Sequence, residues 1–242
     1  MVQGRTIFRG ALLVAVIAVS GCLNTAGGGG GHLKHAAPQV RVMSNSFTIS
    51  GPRGFCIDPG ATRDKAGAAF AVLGSCAVIS GNPKDSKPRK PAMLTASVTP
   101  TPVPLDSTAL DRMAAFFSTP EGRGALARAD NAQEVSVIDM AREEGLLVVH
   151  AEDGDRAGDV TPDYWRGIFE AGGKLVTVTV SGFRAAPLDD KTGARLTRDF
   201  IASLQKANPG PSGKGAEIVA GTGGDLVSAT ADRLASFFNR LP

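Results

Sequence analysis

His150 is the only histidine of this 242-residue chain beyond position 35. It heads the segment His150-Ala151-Glu152-Asp153-Gly154-Asp155-Arg156-Ala157-Gly158-Asp159. An imidazole among carboxylates can act as a general base, and with a distant serine it would make a hydrolase. That is the enzymatic alternative, with His150 and the nearby acids as its groups. No G-x-S-x-G elbow supplies the nucleophile. Read as a calcium loop from Asp153, the segment has Asp155 third and Gly158 sixth. Ala157, however, stands where a ligand is required, and Tyr164 replaces the closing glutamate. A solvated hairpin loop accounts for it better.

Gly221-Thr222-Gly223-Gly224-Asp225 would offer backbone N–H groups to a phosphate at a helix N-terminus. It lacks the lysine of a phosphate loop and a strand–helix–strand context, and Asp225 as an N-cap after two glycines explains it. Lys84, Lys87, Arg89 and Lys90 carry four positive charges with only Asp85 against them. Such a loop can meet anionic head groups or an acidic partner, or simply be a solvated hairpin tip. His32 and His35 follow five glycines, Gly27 to Gly31, and make at most a weak metal pair. No catalytic set, metal site or cofactor is assigned from these residues; a small-ligand or metal-binding protein is the second alternative.

The N-terminus is more specific. Met1 to Gly10 carries Arg5 and Arg9 and no acid, and Ala11 to Val19 is an apolar run too short to span a bilayer. It closes on Val19-Ser20-Gly21-Cys22, which resembles the lipobox of bacterial lipoproteins. The resemblance covers about 22 residues. It implies removal of residues 1–21 as a signal peptide and acylation of Cys22, of the palmitate type. Leu23 follows the cysteine rather than aspartate, and by the same resemblance this implies outer-membrane retention facing the periplasm. Several acyl chains together would make a lasting anchor, since one alone binds only marginally.

In that oxidising compartment the two remaining cysteines, Cys56 and Cys76, are expected to pair as a disulfide. Without Arg5 and Arg9, the 26 basic residues become 24 against 23 acidic, a net +1. This is no nucleic-acid footprint. The expected partners are the membrane, through the anchor, and an envelope protein or peptidoglycan.

The elements that must position these groups are read from periodicity. After a flexible glycine-rich tether over 22–38, Val40, Val42, Phe47 and Ile49 alternate as strands, and Ala69 to Ile79 gives a second apolar run. Ser80 to Pro91 is a loop, Met93 to Val98 a strand, and Thr99 to Pro104 an extended connector. A helix begins at Asp106 or Ser107, and a second starts at Thr119-Pro120-Glu121 and ends near Ala129. Val135 to Ala141, Leu146 to His150, Tyr164 to Glu170 and Lys174 to Ser181 read as an antiparallel meander. Trp165 is expected in the core. Thr192 to Lys206 is an amphipathic helix stopped by Asn208-Pro209-Gly210. A linker and a further helix close the chain over 209–242, where Asp232 to Phe238 echoes Asp111 to Phe117.

The expected fold class is α+β: an antiparallel sheet with hairpins packed against two to four helices, after a disordered N-terminal tether. The domain spans 39–208, with the C-terminal helix packed on it. This order resembles the Mog1/PsbP-type folds, which include periplasmic lipoproteins, and implies no activity. The functional expectation is a membrane-anchored envelope lipoprotein with a non-catalytic binding or accessory role.

Overall fold

In the computed structural model, residues 35–65, 67–101, 104–128, 135–154 and 158–210 are described. They form a mixed α+β domain. A hairpin of β1 (Gln39–Val42) and β2 (Phe47–Ser50) leads into β3 (Phe55–Lys65), β4 (Ala68–Ser75), the short helix α1 (Cys76–Ser80) and β5 (Ala92–Pro100). Helices α2 (Ser107–Phe117) and α3 (Pro120–Leu126) follow. Then come β6 (Val135–Glu143), β7 (Leu146–Asp153), β8 (Val160–Ala171), β9 (Lys174–Phe183) and α4 (Asp190–Ala207). Strands β3 to β9 make one antiparallel sheet in the order β3-β4-β5-β9-β8-β7-β6.

Period-two alternation sorts the side chains onto two faces. Leu94, Ala96, Trp165, Phe169, Val178 and Val180 face α4 and the β1–β2 hairpin, joining Phe47, Ile49, Phe200 and Leu204 in the larger core. Leu147, Val149, Tyr164 and Ile168 face the other way, against Leu110 and Phe117 of α2 and Leu126 of α3. Both faces of β7, β8 and β9 are therefore covered, which is why these strands read as nearly continuous apolar runs.

Helix α4 is amphipathic and starts cleanly. The Asp189 carboxylate accepts from the Thr192 backbone N–H at 2.8 Å and from its hydroxyl at 2.8 Å. Gly193 lets the helix lie on Trp165: a Cβ there would come within 2.4 Å of the indole ring. Gly193→Ala is thus expected to destabilise the fold by about 1–3 kcal/mol, even though alanine is the better helix former. A urea melt checks this; a stabilised variant would mean that α4 is not seated on the indole.

The caps of α2 and α3 are those expected, Asp106 accepting from Ala109 N–H and Thr119 from Gly122 N–H. Several boundaries differ from expectation. The whole of β3 is unassigned by periodicity, Pro59 and Gly60 interrupting its apolar pattern; there the strand bulges, its register shifting between Asp58 and Arg63. The apolar run Ala69 to Ile79 is strand only to Ser75, then turns into α1. Helix α3 ends at Leu126, three residues before the expected Ala129. Residues 153–162, expected to be a loop, are shortened by β7 reaching Asp153 and β8 starting at Val160. The linker and closing helix over 211–242, with the Asp232 to Phe238 echo and the Gly221 to Asp225 loop, lie outside the described residues, as does the leader with Cys22.

Candidate functional site

At one end of the sheet, β3 begins, β4 ends and β5 begins, and three features meet there. Cys56 of β3 and Cys76 of α1 form a disulfide. The loop Gly81 to Pro91 runs on from α1, making Lys84, Lys87, Arg89 and Lys90 part of a helix-to-strand connection rather than a hairpin tip. Gly54, with φ of 91°, lies against the backbone of Lys87 and Pro88, where a Cβ would come within 2.6 Å of the Pro88 nitrogen.

The third feature is the first described stretch of chain, His35 to Pro38, assigned in sequence to the end of the tether. It is strapped to this end. Pro38 C=O accepts from Gly51 N–H at 2.9 Å and Ala37 C=O from Ile57 N–H at 2.8 Å. The Ala36 carbonyl oxygen lies 3.3 Å from the Cys56 sulfur. The Asp85 carboxylate holds the strap to the basic loop, accepting from Ala36 N–H at 3.1 Å and pairing with His35 Nδ1. Within the loop, Asn82 is buried and its Oδ1 accepts from Lys84 N–H at 3.1 Å.

The hydrogen bonds from His35, Ala36 and Ser80 hold the Asp85 carboxyl below its ordinary value. A carboxyl lowered in this way contributes stability that is complete above its ordinary pKa and is lost as pH falls through the lowered one. The Ala36 amide resonance is therefore expected to titrate only on acidification below about pH 4. NMR titration checks this, and a midpoint at or above the ordinary carboxylate value would contradict the clasp.

The groups gathered for a hydrolase are divided by the sheet. His150 lies on the α4 side of β7, its ring stacked on Trp165 with centroids 4.3 Å apart. Its Nε2 is 3.7 Å from Asp163 Oδ2, beyond hydrogen-bond reach, and makes no hydrogen bond among the described residues. Asp153 faces the other side, bound to Arg128. Glu152 and Asp159 are exposed, and Asp155 lies outside the described residues. Among the described residues no three His, Cys, Asp or Glu side chains converge as a metal site. His35, the one described member of the histidine pair, is engaged by Asp85.

A buried polar network escaped the sequence reading. The Arg128 guanidinium donates to both carboxylate oxygens of Asp153, at 2.9 and 2.5 Å. It also donates to Ser181 Oγ at 2.9 Å and to the carbonyls of Thr161 and Pro162 at 2.9 and 2.6 Å. It sits 4.5 Å from the centre of the Tyr164 ring, whose hydroxyl donates to Leu126 C=O at 2.5 Å. Arg166 lies 5.2 Å from the same ring, and burial pushes its guanidinium below the ordinary arginine value. The signal for this network was the alternation of Tyr164 and Arg166 on a strand whose other face is apolar. Every polar contact named is internal, so the network ties α3 to the strand ends.

At the far end of the sheet, Met43, Ser44 and Asn45 all adopt left-handed φ (54°, 55° and 66°). Met43 and Ser44, with Asp64, Lys65 and Pro100, border a cavity of about 300 Å³. No residue singled out from the sequence lines it.

No family model, curated protein or solved structure matches this chain. Among the described residues no helix is long and apolar enough to cross a membrane.

Proposed function

We propose that this chain is an envelope lipoprotein: a disulfide-braced domain held to the outer membrane by acyl chains on Cys22, acting as a non-catalytic binding or assembly module in the periplasm. The observation that carries this reading is the strap. The chain running from Cys22 joins the domain at His35 to Pro38, where four backbone and side-chain contacts fix it to the sheet end braced by Cys56–Cys76. A pull on the tether is thus received beside the Cys56–Cys76 bridge. The disulfide itself suits an oxidising compartment. The lipobox resemblance at Val19-Ser20-Gly21-Cys22 supplies the chemistry of attachment, and Leu23 favours outer-membrane retention.

The non-catalytic part rests on where the reactive groups are engaged. His150 is stacked on Trp165 and Asp153 is bound by Arg128, on opposite faces of the sheet. A binding role then calls for a partner, an envelope protein or peptidoglycan.

Intact mass of the chain extracted from membranes tests the anchor. The expected species begins at Cys22 and carries acyl chains, and Cys22→Ala abolishes that species. An unmodified Cys22, or cleavage elsewhere, would overturn the proposal. Crosslinking and capture of the intact protein from envelopes, compared with Cys22→Ala, then tests whether partner choice lies in the domain: the same neighbours recovered from both would place it there.

A further inference from the structure

The strapped end of the domain is chemically unlike the rest of the surface. Lys84, Lys87 and Arg89 are solvent-facing and make no ion pair among the described residues, and exposed Arg53 stands beside Gly54, which packs on Lys87 and Pro88. The one acid within the loop, Asp85, is engaged by His35 and Ala36 and offsets one of these charges, so with Arg53 the patch keeps an excess of cations. Lys90 lies toward Asp189 at the start of α4, where Asp189 and Asp190 bound the patch. Next to the loop, on α1, Val78 is 79% exposed, the most exposed large apolar side chain among the described residues. An apolar side chain beside a cluster of cations is the composition that binds a charged lipid interface.

Position decides which anionic surface is met first. Cys22 and His35 are 13 residues apart in sequence. That length spans at most about 45 Å fully extended. The far end of the sheet is a strand of some ten residues further on, roughly 30 Å beyond the strap. The basic loop is therefore held closer to the bilayer that carries the anchor than the turn Glu144-Gly145, across the sheet from it.

We propose that Lys84, Lys87 and Arg89, with Arg53 and Val78, form a second membrane contact that seats the strapped end of the domain on anionic phospholipid head groups. The proposal rests on the lipid anchor at Cys22. Acyl chains hold the protein to the membrane, and the basic end sets its orientation, with the Met43 to Asn45 turn directed into the periplasm. Each basic side chain at an anionic surface is worth about a fivefold preference, so three give a preference on the order of a hundredfold for the seated orientation.

The test uses the full acylated chain reconstituted into vesicles, with an environment-sensitive fluorophore on Ser86→Cys or, as the distal control, on Glu144→Cys. In vesicles of phosphatidylcholine with one part in three phosphatidylglycerol, the probe at residue 86 is expected to report an apolar interface and be quenched by head-group quenchers. The signal should return to the aqueous value in pure phosphatidylcholine, in high salt, and in K84Q/K87Q/R89Q. The probe at residue 144 should stay aqueous throughout. The salt response leaves Lys84, Lys87 and Arg89 in place and so stands even if the triple variant misfolds. Equal signals at residue 86 in anionic and neutral vesicles would overturn the proposal, as would contact at residue 144 instead. A loop that ignores lipid but crosslinks to an acidic envelope protein would overturn it in favour of that protein. Failure of the anchor is separate: it appears as unmodified Cys22 in the mass measurement before any vesicle is made.

Discussion

Asp153→Ala is expected to cost about 3–5 kcal/mol of stability, a large share of what a domain of this size has to lose. The reason lies in what the substitution leaves behind. Arg128 is almost fully buried, and two of its donors are directed at the Asp153 oxygens. Removing the carboxylate strands a cation away from water, and the carbonyls of Thr161 and Pro162 with Ser181 do not neutralise it. Arg128→Ala should be comparably damaging, because the carboxylate loses its cation and both carbonyls lose a donor. Replacing the pair together, as Arg128→Met with Asp153→Leu, should cost less than the two single changes added, since these two charges leave together while buried Arg166 stays. Urea unfolding of the two single variants and the double variant gives the coupling directly. A single-variant loss under 1 kcal/mol would show that water reaches the pair and that it does not brace α3 against the sheet.

Removing the Cys56–Cys76 bridge is expected to be the next most damaging change. The bridge closes a loop across a sequence separation of 20, and restoring that freedom to the unfolded chain is worth about 3 kcal/mol. Cys56→Ser with Cys76→Ser, or reduction of the native protein, should lower the urea midpoint accordingly, with a modest rise in the slope as the unbridged denatured chain expands. The folded-state effect should be local. Hydrogen exchange should rise first in α1, in the strap His35 to Pro38 and in the 81–91 loop, because these hang on β3 and β4 through that bridge. Uniform acceleration across β7, β8 and β9 instead would mean that the bridge supports the whole sheet. If the strapped end seats the protein on the membrane, the same variant should loosen that seating while retaining the anchor.

Much of this architecture could be read from residue pattern, for physical reasons that differ by element. The meander β6 to β9 was legible because Gly145, Gly172 and Gly173 mark tight turns, all at positive φ, between apolar runs. Helices α2, α3 and α4 were legible from Asp106, Thr119-Pro120 and the Thr192 to Lys206 periodicity, since caps and amphipathic faces are local signals. Strand β3 was not, because its bulge places Pro59 and Gly60 inside a strand, and proline and glycine there imitate a loop. The disulfide was expected from compartment and cysteine count. The pairing of Arg128 with Asp153, 25 residues apart, was not. Nothing in either neighbourhood announces the other; only the register of β7 and the exit of α3 bring them together. The basic loop was visible as composition, but its closeness to the strap was not, since it depends on Asp85 reaching His35 across 50 positions.

The strand order β3-β4-β5-β9-β8-β7-β6 also sets how the chain reaches its fold. All seven strands lie beside a sequence neighbour in two local meanders, and the two are joined by one seam, β5 against β9. Partners across that seam are 74 to 90 residues apart, from Pro100↔Lys174 to Ala92↔Gly182. Each meander can zip by short loop closures, whereas the seam must bring distant chain together before it gains anything in return. Cys56 and Cys76 both lie within the first meander, so oxidation can brace that half before the second is docked. The slow step of folding is then the closing of β5 on β9, and until it happens the exposed edges of both strands are where a newly made chain is most open to pairing with a second copy.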